Sequence, residues 1–395
     1  MKIVTIIGAR PQFIKSAVVS RAIAAQNAIS QTNNNLKIKE YTLHTGQHYD
    51  RNMNDVFFQE LGLKKPDWQL HCGGIASHAK MLAEMLTGIE KALVACRPDY
   101  VLVYGDTNST LAGALAASQL HIPILHVEAG LRSFNKQMPE ELNRILTDHL
   151  SSMLFCPTHQ AVRNLAKESI TQGVFYTGDV MYDAALTFGK VAEEKSTIIT
   201  ALGLQPQKFH LCTVHRAENT DNPERLTQII LALTEIATSD CPIILPLHPR
   251  TKIYLTHYNL NATIASNPAL RLIEPIDYLD MIMLEKNAAT IFTDSGGIQK
   301  EAYFYRTPCI TLREETEWTE TVEAGWNQLA GFHTEKIIEC LANQPTKSEI
   351  NEYGDGHAAE KIIHAIFLNS EENNINSEES NNPPPKRKLE NVYGE

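Results

Sequence analysis

Short apolar runs alternate with longer amphipathic stretches from the first residues onward, the pattern of buried parallel strands joined by crossover helices. It predicts a strand over 2–7, a helix over 13–25 after a Gly/Pro loop, a strand ending over 41–44, a helix over 78–95, a strand over 100–104 and a small-residue helix over 111–120. Strands over 124–127 and 153–156 and a helix over 160–167 continue the series. After a charged helix around 185–197 the alternation restarts: strands over 209–214, 243–247, 270–273, 290–293 and 309–312, with helices over 225–238 and 278–288 and one reaching 305. The expected fold is α/β, two Rossmann-like doubly wound domains over 1–180 and 181–368 with a ligand cleft between them, the last helix packing back on the first domain.

Length agrees, because 395 residues exceed one ordinary core. From 369 onward the chain turns rich in Asn, Ser and Glu, cannot bury enough apolar surface, and is expected to form a disordered tail over 369–395. Its Lys386-Arg387-Lys388 cluster reads as a solvated basic end.

The formal net charge of -11 is spread along the chain, which argues against a nucleic-acid surface and leaves room for local basic pockets. Seven cysteines with no CxxC pair support neither a disulfide framework nor a zinc site, and suit a reducing cytoplasm. The first apolar run is too short for a secretion signal, and no run reaches the roughly 18 to 20 residues of a spanning helix.

Candidate chemistry gathers where predicted strands end. Gly8-Ala9-Arg10-Pro11-Gln12-Phe13-Ile14-Lys15, Gly105-Asp106-Thr107-Asn108-Ser109-Thr110 and His126-Val127-Glu128-Ala129-Gly130 each follow an apolar run, and so open at one carboxyl edge of the sheet. Asp106, Glu128 and Glu140 offer proton handlers there, and Arg10 and Lys15 anion binders. Each has a plainer reading: a tight turn for Gly8–Lys15, the cap of the helix over 111–120 for Asp106, an ion pair with Arg144 for Glu140. Glu128 stands where water has poor access, so it requires a partner or a raised pKa.

The second half repeats the theme with His215-Arg216 and His248-Pro249-Arg250 at strand ends, a candidate diphosphate site. In Asp294-Ser295-Gly296-Gly297 the paired glycines let backbone amides approach a phosphate, while Glu301 can accept from ribose hydroxyls. Arg313 closes the following strand.

Taken in order, these motifs, with Pro139-Glu140-Glu141, Asn143-Arg144 and Tyr353-Gly354-Asp355-Gly356, resemble the non-hydrolysing UDP-N-acetylglucosamine 2-epimerases over essentially all of the chain up to Leu368. The resemblance implies a GT-B-like fold and an isomerase that needs no cofactor and no metal. UDP leaves C1 as the C2 proton is removed, and adds back to the 2-acetamidoglucal after protonation of the opposite face. Residue by residue it implies catalytic roles for Asp106, Glu128 and Glu140, supporting roles for Lys15 and His215, and UDP contacts at Ser295, Gly296, Gly297 and Glu301. Arg10, His248, Arg250 and Arg313 join the expected UDP site. The expected partners are a UDP-sugar and a second copy of the chain in a homodimer, with no nucleic acid and no membrane. A GT-B glycosyltransferase, a hydrolysing epimerase and a nucleotide-sugar-binding regulator stand as alternatives.

The chain departs from the commoner family pattern in three places, with Ala9 and Gln12 for a threonine and a glutamate, Gly178-Asp179 for Gly-Asn, and Trp318-Thr319 for Arg-Pro. These departures look like the branch acting on UDP-2,3-diacetamido-2,3-dideoxyglucuronate, and a neutral Gln12 would suit an anionic sugar. Gln47-His48-Tyr49 also lacks the arginine common in the stretch associated with activation by UDP-N-acetylglucosamine.

Overall fold

The first sheet is wholly parallel in the spatial order Trp68–Gln69, Lys39–His44, Lys2–Ile7, Tyr100–Tyr104, Ile124–Val127, Met153–Cys156 and Val174–Tyr176, and the second, also parallel, runs Leu270–Ile273, Ile243–Pro246, His210–Thr213, Thr290–Thr293, Cys309–Thr311 and Asn327–Leu329. The computed structural model describes residues 1–33, 37–47, 58, 60–75 and 77–379. The first sheet comprises β1 (Lys2–Ile7), β2 (Lys39–His44), β3 (Trp68–Gln69), β4 (Tyr100–Tyr104), β5 (Ile124–Val127), β6 (Met153–Cys156) and β7 (Val174–Tyr176). The second comprises β8 (His210–Thr213), β9 (Ile243–Pro246), β10 (Leu270–Ile273), β11 (Thr290–Thr293), β12 (Cys309–Thr311) and β13 (Asn327–Leu329).

Strand order reverses between β1 and β4 in one sheet and between β8 and β11 in the other. These are the switch points where adjacent loops diverge and leave a crevice at the carboxyl edge. The central strands are apolar on both faces because helices cover both, and they are fully buried.

The edge strands β3, β7 and β13 were not expected from the alternation. They are two or three residues long and only partly buried, too short to show a period. The first helix runs Arg10–Asn33, starting earlier and ending later than expected. The helix expected over 111–120 is Asn108–Gln119, because Thr107 and Thr110 form a reciprocal capping box.

Two helices join the domains. Val180–Lys195 leaves the first sheet and contributes Phe188 and Ala192 to a core cluster that also holds Tyr278, Leu279 and Ile282 of the Tyr278–Asn287 helix. The final helix, Ala358–Glu379, returns the chain to the first domain, where Ile362, Ile363 and Ile366 join the cluster that contains Phe13 and Val18. The outgoing and returning segments cross backbone to backbone at two glycines. Gly178 and Gly354 have φ of +87° and +83°, and a Cβ on Gly178 would lie 2.8 Å from the Tyr353 carbonyl oxygen.

The final helix corrects the expectation that order ends at 369, since helix continues to Glu379. Asp183 accepts from the Ala358 and Ala359 amides at 3.0 and 2.8 Å, and the isoleucine stripe docks the first turns. Once nucleated, a helix extends at little cost per residue even through Asn and Ser. The basic cluster at 386–388 lies outside the described residues, as do His48 and Tyr49.

His210, at the start of β8, gives the fold a pH dependence. Its ring meets Phe292 edge-on at 5.6 Å, and burial pushes the imidazole down to about 4. An unfolded histidine takes its proton near 6.5, so between about 6.5 and 4 the unfolded chain binds more protons and stability falls as pH falls. His210→Gln is expected to flatten that decline. Urea midpoints of both proteins at pH 7.5 and 5 test it, and equal declines would mean that the wild-type ring is free to charge when folded.

Candidate active site

The loop after β1 is built by close approach and by one amide. A Cβ on Gly8 would lie 2.0 Å from Thr45 Oγ1 and 2.1 Å from Ser109 Oγ, so the β1 and β4 loops come together only over glycine. Gln12 Oε1 accepts from the Gly8 and Ala9 amides at 2.8 and 3.0 Å, while its Nε2 donates to the Tyr104 carbonyl and Thr110 Oγ1, both at 2.9 Å. Gln12 is thus buried with its amide fully engaged in the scaffold. It pins the loop that presents Arg10 and Lys15, and brings no negative charge to it.

Glu128 directly follows β5 with φ of +72°, a left-handed conformation that costs a non-glycine residue roughly 1–2 kcal/mol. Its Oε2 is 2.6 Å from Lys15 Nζ and 3.5 Å from Lys300 Nζ. No hydrogen bond is made to Oε1 among the described residues. Burial pushes this carboxyl up, but the Lys15 and Lys300 ammoniums, with Arg144 behind them, outweigh it and hold the pKa at about 2.

Asp106 is not the helix cap, a task that falls to Thr107, whose side chain accepts from the Thr110 amide. Its Oδ2 instead takes Arg144 Nη2 at 2.5 Å, and Asn143 Nδ2 holds its carbonyl at 2.9 Å. The Glu140–Arg144 ion pair does not form. Glu140 is exposed in the first turn of the Pro139–Leu150 helix, and Arg144 turns inward toward Asp106, with Glu141 Oε2 3.2 Å from its Nη1. Buried Glu141 in turn accepts from the Ser133 and Phe134 amides, both at 2.9 Å.

Behind these acids lies a buried network absent from the sequence reading. His126 Nδ1 contacts Asp148 Oδ1 at 2.7 Å and its Nε2 contacts the Gly105 carbonyl at 2.8 Å. Asp148 Oδ2 also accepts from Arg132 Nη1 at 2.7 Å, and Arg132 Nε pairs with Glu168 at 2.7 Å. A histidine inside the apolar run of β5 was the available signal, because a buried imidazole requires partners.

Lys300 was likewise missed. It is buried in the Gly296–Phe304 helix, 2.5 Å from Asp179 Oδ2 and 3.9 Å from the centre of the Trp318 ring. Two of the positions that depart from the commoner pattern, Asp179 and Trp318, are therefore the side chains that hold this lysine.

On the second sheet, the Asp294 carboxylate is completely buried and organises the loop after β8. It accepts from the His215 and Arg216 amides at 3.0 Å each and from Asn219 Nδ2 at 3.1 Å. His215 and His248 come together, with ring centres 5.4 Å apart. Arg250 is held by Asp221, its Nη2 2.6 Å from Oδ1, on an exposed part of the rim. Arg313 is buried against Glu317 Oε2 at 3.1 Å.

Ser295 opens the Gly296–Phe304 helix without a side-chain cap, so the first amides keep their donors for a ligand. The nearest atoms to a Cβ on Gly296 would be Arg216 Nη2, Glu317 Oε2 and Trp318 Nε1, each 3.7 Å away, which is ordinary contact. Glu301 lies deeper, its Oε1 3.4 Å from the Tyr278 hydroxyl. Burial pushes its carboxyl up, partly offset by Lys300, Tyr278 and Arg10. Burial likewise pushes the Arg10 guanidinium down, against the opposing pull of Glu301, Tyr278, Glu60 and Asp277.

Among the described residues no three His, Cys, Asp or Glu side chains converge as a metal site would, and no helix is long and apolar enough to cross a membrane. The arrangement joins carboxylates on one domain to an open helix N-terminus on the other, through Glu128, Lys300, Trp318 and Gly296.

The chain matches the family model described as UDP-N-acetylglucosamine 2-epimerase over residues 30–367. It is 51% identical to a UDP-N-acetylglucosamine 2-epimerase homolog of Methanococcus maripaludis, covering 93% of this chain and 99% of that one. It is 48% identical to the UDP-2,3-diacetamido-2,3-dideoxy-D-glucuronate 2-epimerase of Pseudomonas aeruginosa, with the same coverage of 93% and 99%. The crystal structure of Methanocaldococcus jannaschii UDP-GlcNAc 2-epimerase in complex with UDP-GlcNAc and UDP superposes with a TM-score of 0.84 at 43% identity, covering 93% of this chain and 100% of that chain.

Proposed function

Since the chain belongs to the UDP-N-acetylglucosamine 2-epimerase family, whose members are isomerases, we propose that it inverts C2 of a UDP-2-acetamido sugar by non-hydrolysing elimination and re-addition of UDP. The observation that carries this reading is Glu128, a strained carboxylate at the carboxyl edge of the first sheet with Oε2 held by two ammoniums and no hydrogen bond to Oε1 among the described residues. A carboxylate kept ionised in a closed cleft is suited to take the C2 proton. Asp106, fixed by Arg144, and Glu140, exposed at its helix start, are the remaining proton handlers for the second face. Lys15 orients Glu128. The departing diphosphate carries the developing negative charge, and the Gly296 and Gly297 amides, the Ser295 hydroxyl, Arg10 and His215 stabilise it. His248, Arg250, Arg313 and Glu301 complete the UDP site. In this division of labour, residues 1–180 carry the acids and 181–368 hold the nucleotide.

In deuterated water both epimers are expected to gain deuterium at C2 with no nicotinamide or metal added. Turnover that retains the C2 hydrogen would remove the elimination mechanism. Phosphorus NMR separates the alternatives: conversion of the UDP-sugar with its diphosphate ester intact at equilibrium supports the non-hydrolysing epimerase. Free UDP with a released sugar indicates a hydrolysing enzyme, and UDP release that requires an acceptor indicates a glycosyltransferase.

The favoured substrate is UDP-2,3-diacetamido-2,3-dideoxyglucuronate, supported by the 48% identical relative of that name and by Asp179 and Trp318. With Gln12 committed to the scaffold, a sugar carboxylate must find its partner among the cleft cations, a charge-assisted bond of about 1.5–3 kcal/mol. The kcat/KM is therefore expected to exceed that for UDP-N-acetylglucosamine by roughly 10- to 100-fold. Equal or better turnover of UDP-N-acetylglucosamine would leave the reaction class intact and overturn the substrate.

A further inference from the structure

Lys300 lies on the second domain, yet both carboxylates it touches belong to segments at the edge of the first, Glu128 after β5 and Asp179 after β7. Asp179 is itself fixed, because its Oδ1 accepts from the Met181 amide at 2.8 Å and its own amide donates to the Tyr353 carbonyl at 3.0 Å. The Trp318 ring covers the ammonium at 3.9 Å, an attractive contact that adds no competing charge. Lys300 thus has one rigid anchor, one apolar wall and one remaining target, Oε2 of Glu128.

The geometry points to Lys300 as a positioning residue that spans the cleft: aimed by Asp179 and Trp318, it shares Oε2 of Glu128 with Lys15 and leaves Oε1 as the oxygen that takes a proton. The second cation is present on Glu128 only while the two domains touch, so the ionisation of this carboxylate is tied to cleft closure. Lys15 and Arg144 face Glu128 from the first domain. Around Lys300 the further charges are Asp179, Glu301 and Glu320. Burial acts against the Lys300 charge, but Asp179 and Glu128 outweigh it and push the ammonium up, so it stays protonated through the working pH range. The kinetic consequence rests on the epimerase reading, whereas the electrostatic one does not.

The experiment is a carboxyl carbon NMR titration of glutamate-labelled full-length protein, with the Glu128 signal assigned by its loss in Glu128→Gln. In the wild type Glu128 is expected to stay ionised down to acid unfolding, and a midpoint near the ordinary value of about 4.3 would overturn the inference without any variant. In Lys300→Gln the midpoint is expected to rise by about 1 to 3 pH units, and Lys300→Arg is expected to restore it. A folded Lys300→Gln in which Glu128 still stays ionised down to acid unfolding, as in the wild type, would also overturn it. The acid limb of kcat should move up with the midpoint in Lys300→Gln, with affinity for UDP alone retained. A purely structural lysine would lower kcat at every pH and leave the limb in place. If the wild type catalyses no C2 exchange but its Glu128 titration depends on Lys300, the functional proposal fails and the positioning role stands. If exchange occurs with no such dependence, the reverse holds.

Discussion

Glu128→Gln is expected to slow turnover by about two to four orders of magnitude per folded molecule, the usual worth of an acid/base group. The amide keeps the size of the side chain but can neither take the C2 proton nor balance Lys15 at 2.6 Å. It also leaves a buried ammonium without its counter-charge, so the variant should lose stability as well as activity. Rates must therefore be normalised to the folded fraction, and UDP binding should survive, since the nucleotide is proposed to sit on the other domain. Asp106→Asn provides the contrast. Its helix is capped by Thr107, and Arg144 keeps Glu141 Oε2 at 3.2 Å, so the expected loss is in turnover with a smaller change in melting temperature than in Glu128→Gln. Full specific activity in either folded variant would remove that residue from the chemistry.

Asp148→Asn is expected to destabilise the first domain by about 3 kcal/mol, near the low end for removing one partner of a buried ionic group. Its carboxylate serves His126, Arg132 and the Gly130 amide together; Arg132 keeps another partner in Glu168 and His126 in the Gly105 carbonyl, but the Gly130 amide and one imidazole nitrogen lose theirs. For a domain of this size the melting temperature should fall by roughly 6 to 12 °C at pH 7. Burial pushes the Asp148 carboxyl up, but hydrogen bonds and charge from His126 and Arg132 prevail and lower it. The stabilisation is therefore complete above the unfolded value near 3.9 and is lost as pH falls through the lower folded value. The gap between wild type and variant should close only below about pH 4. An unchanged melting temperature at pH 7 would mean that the network contributes nothing net.

Much of this was legible in the sequence because parallel strands covered on both faces are continuous apolar runs, and the residue after each run is placed by the strand itself. Glu128, Asp106, His215 and Ser295 follow such runs, and their shared edge was readable from spacing alone. Contacts across the sheet or cleft were not. Asp106 lies 38 positions from Arg144, and Lys300 lies 172 from Glu128 and 121 from Asp179, separations no local pattern encodes. The scaffold role of Gln12 was hidden for a related reason, because the Tyr104 carbonyl that its side chain reaches lies 92 positions away.

The return of the Ala358–Glu379 helix to the Arg10–Asn33 helix also bears on biosynthesis. Ile362, Ile363 and Ile366 close a core cluster whose other members include Ile3, Phe13 and Val18, residues translated more than 340 positions earlier. At ordinary elongation rates the nascent first domain waits about 10 to 35 s for those isoleucines while the second domain is made. Its apolar groove is uncovered throughout that interval and is a surface for chaperone capture. A stop codon that removes the last helix therefore harms the domain made before it, and a circular permutant that fuses this helix ahead of Met1 would allow the first domain to finish folding before the second is translated.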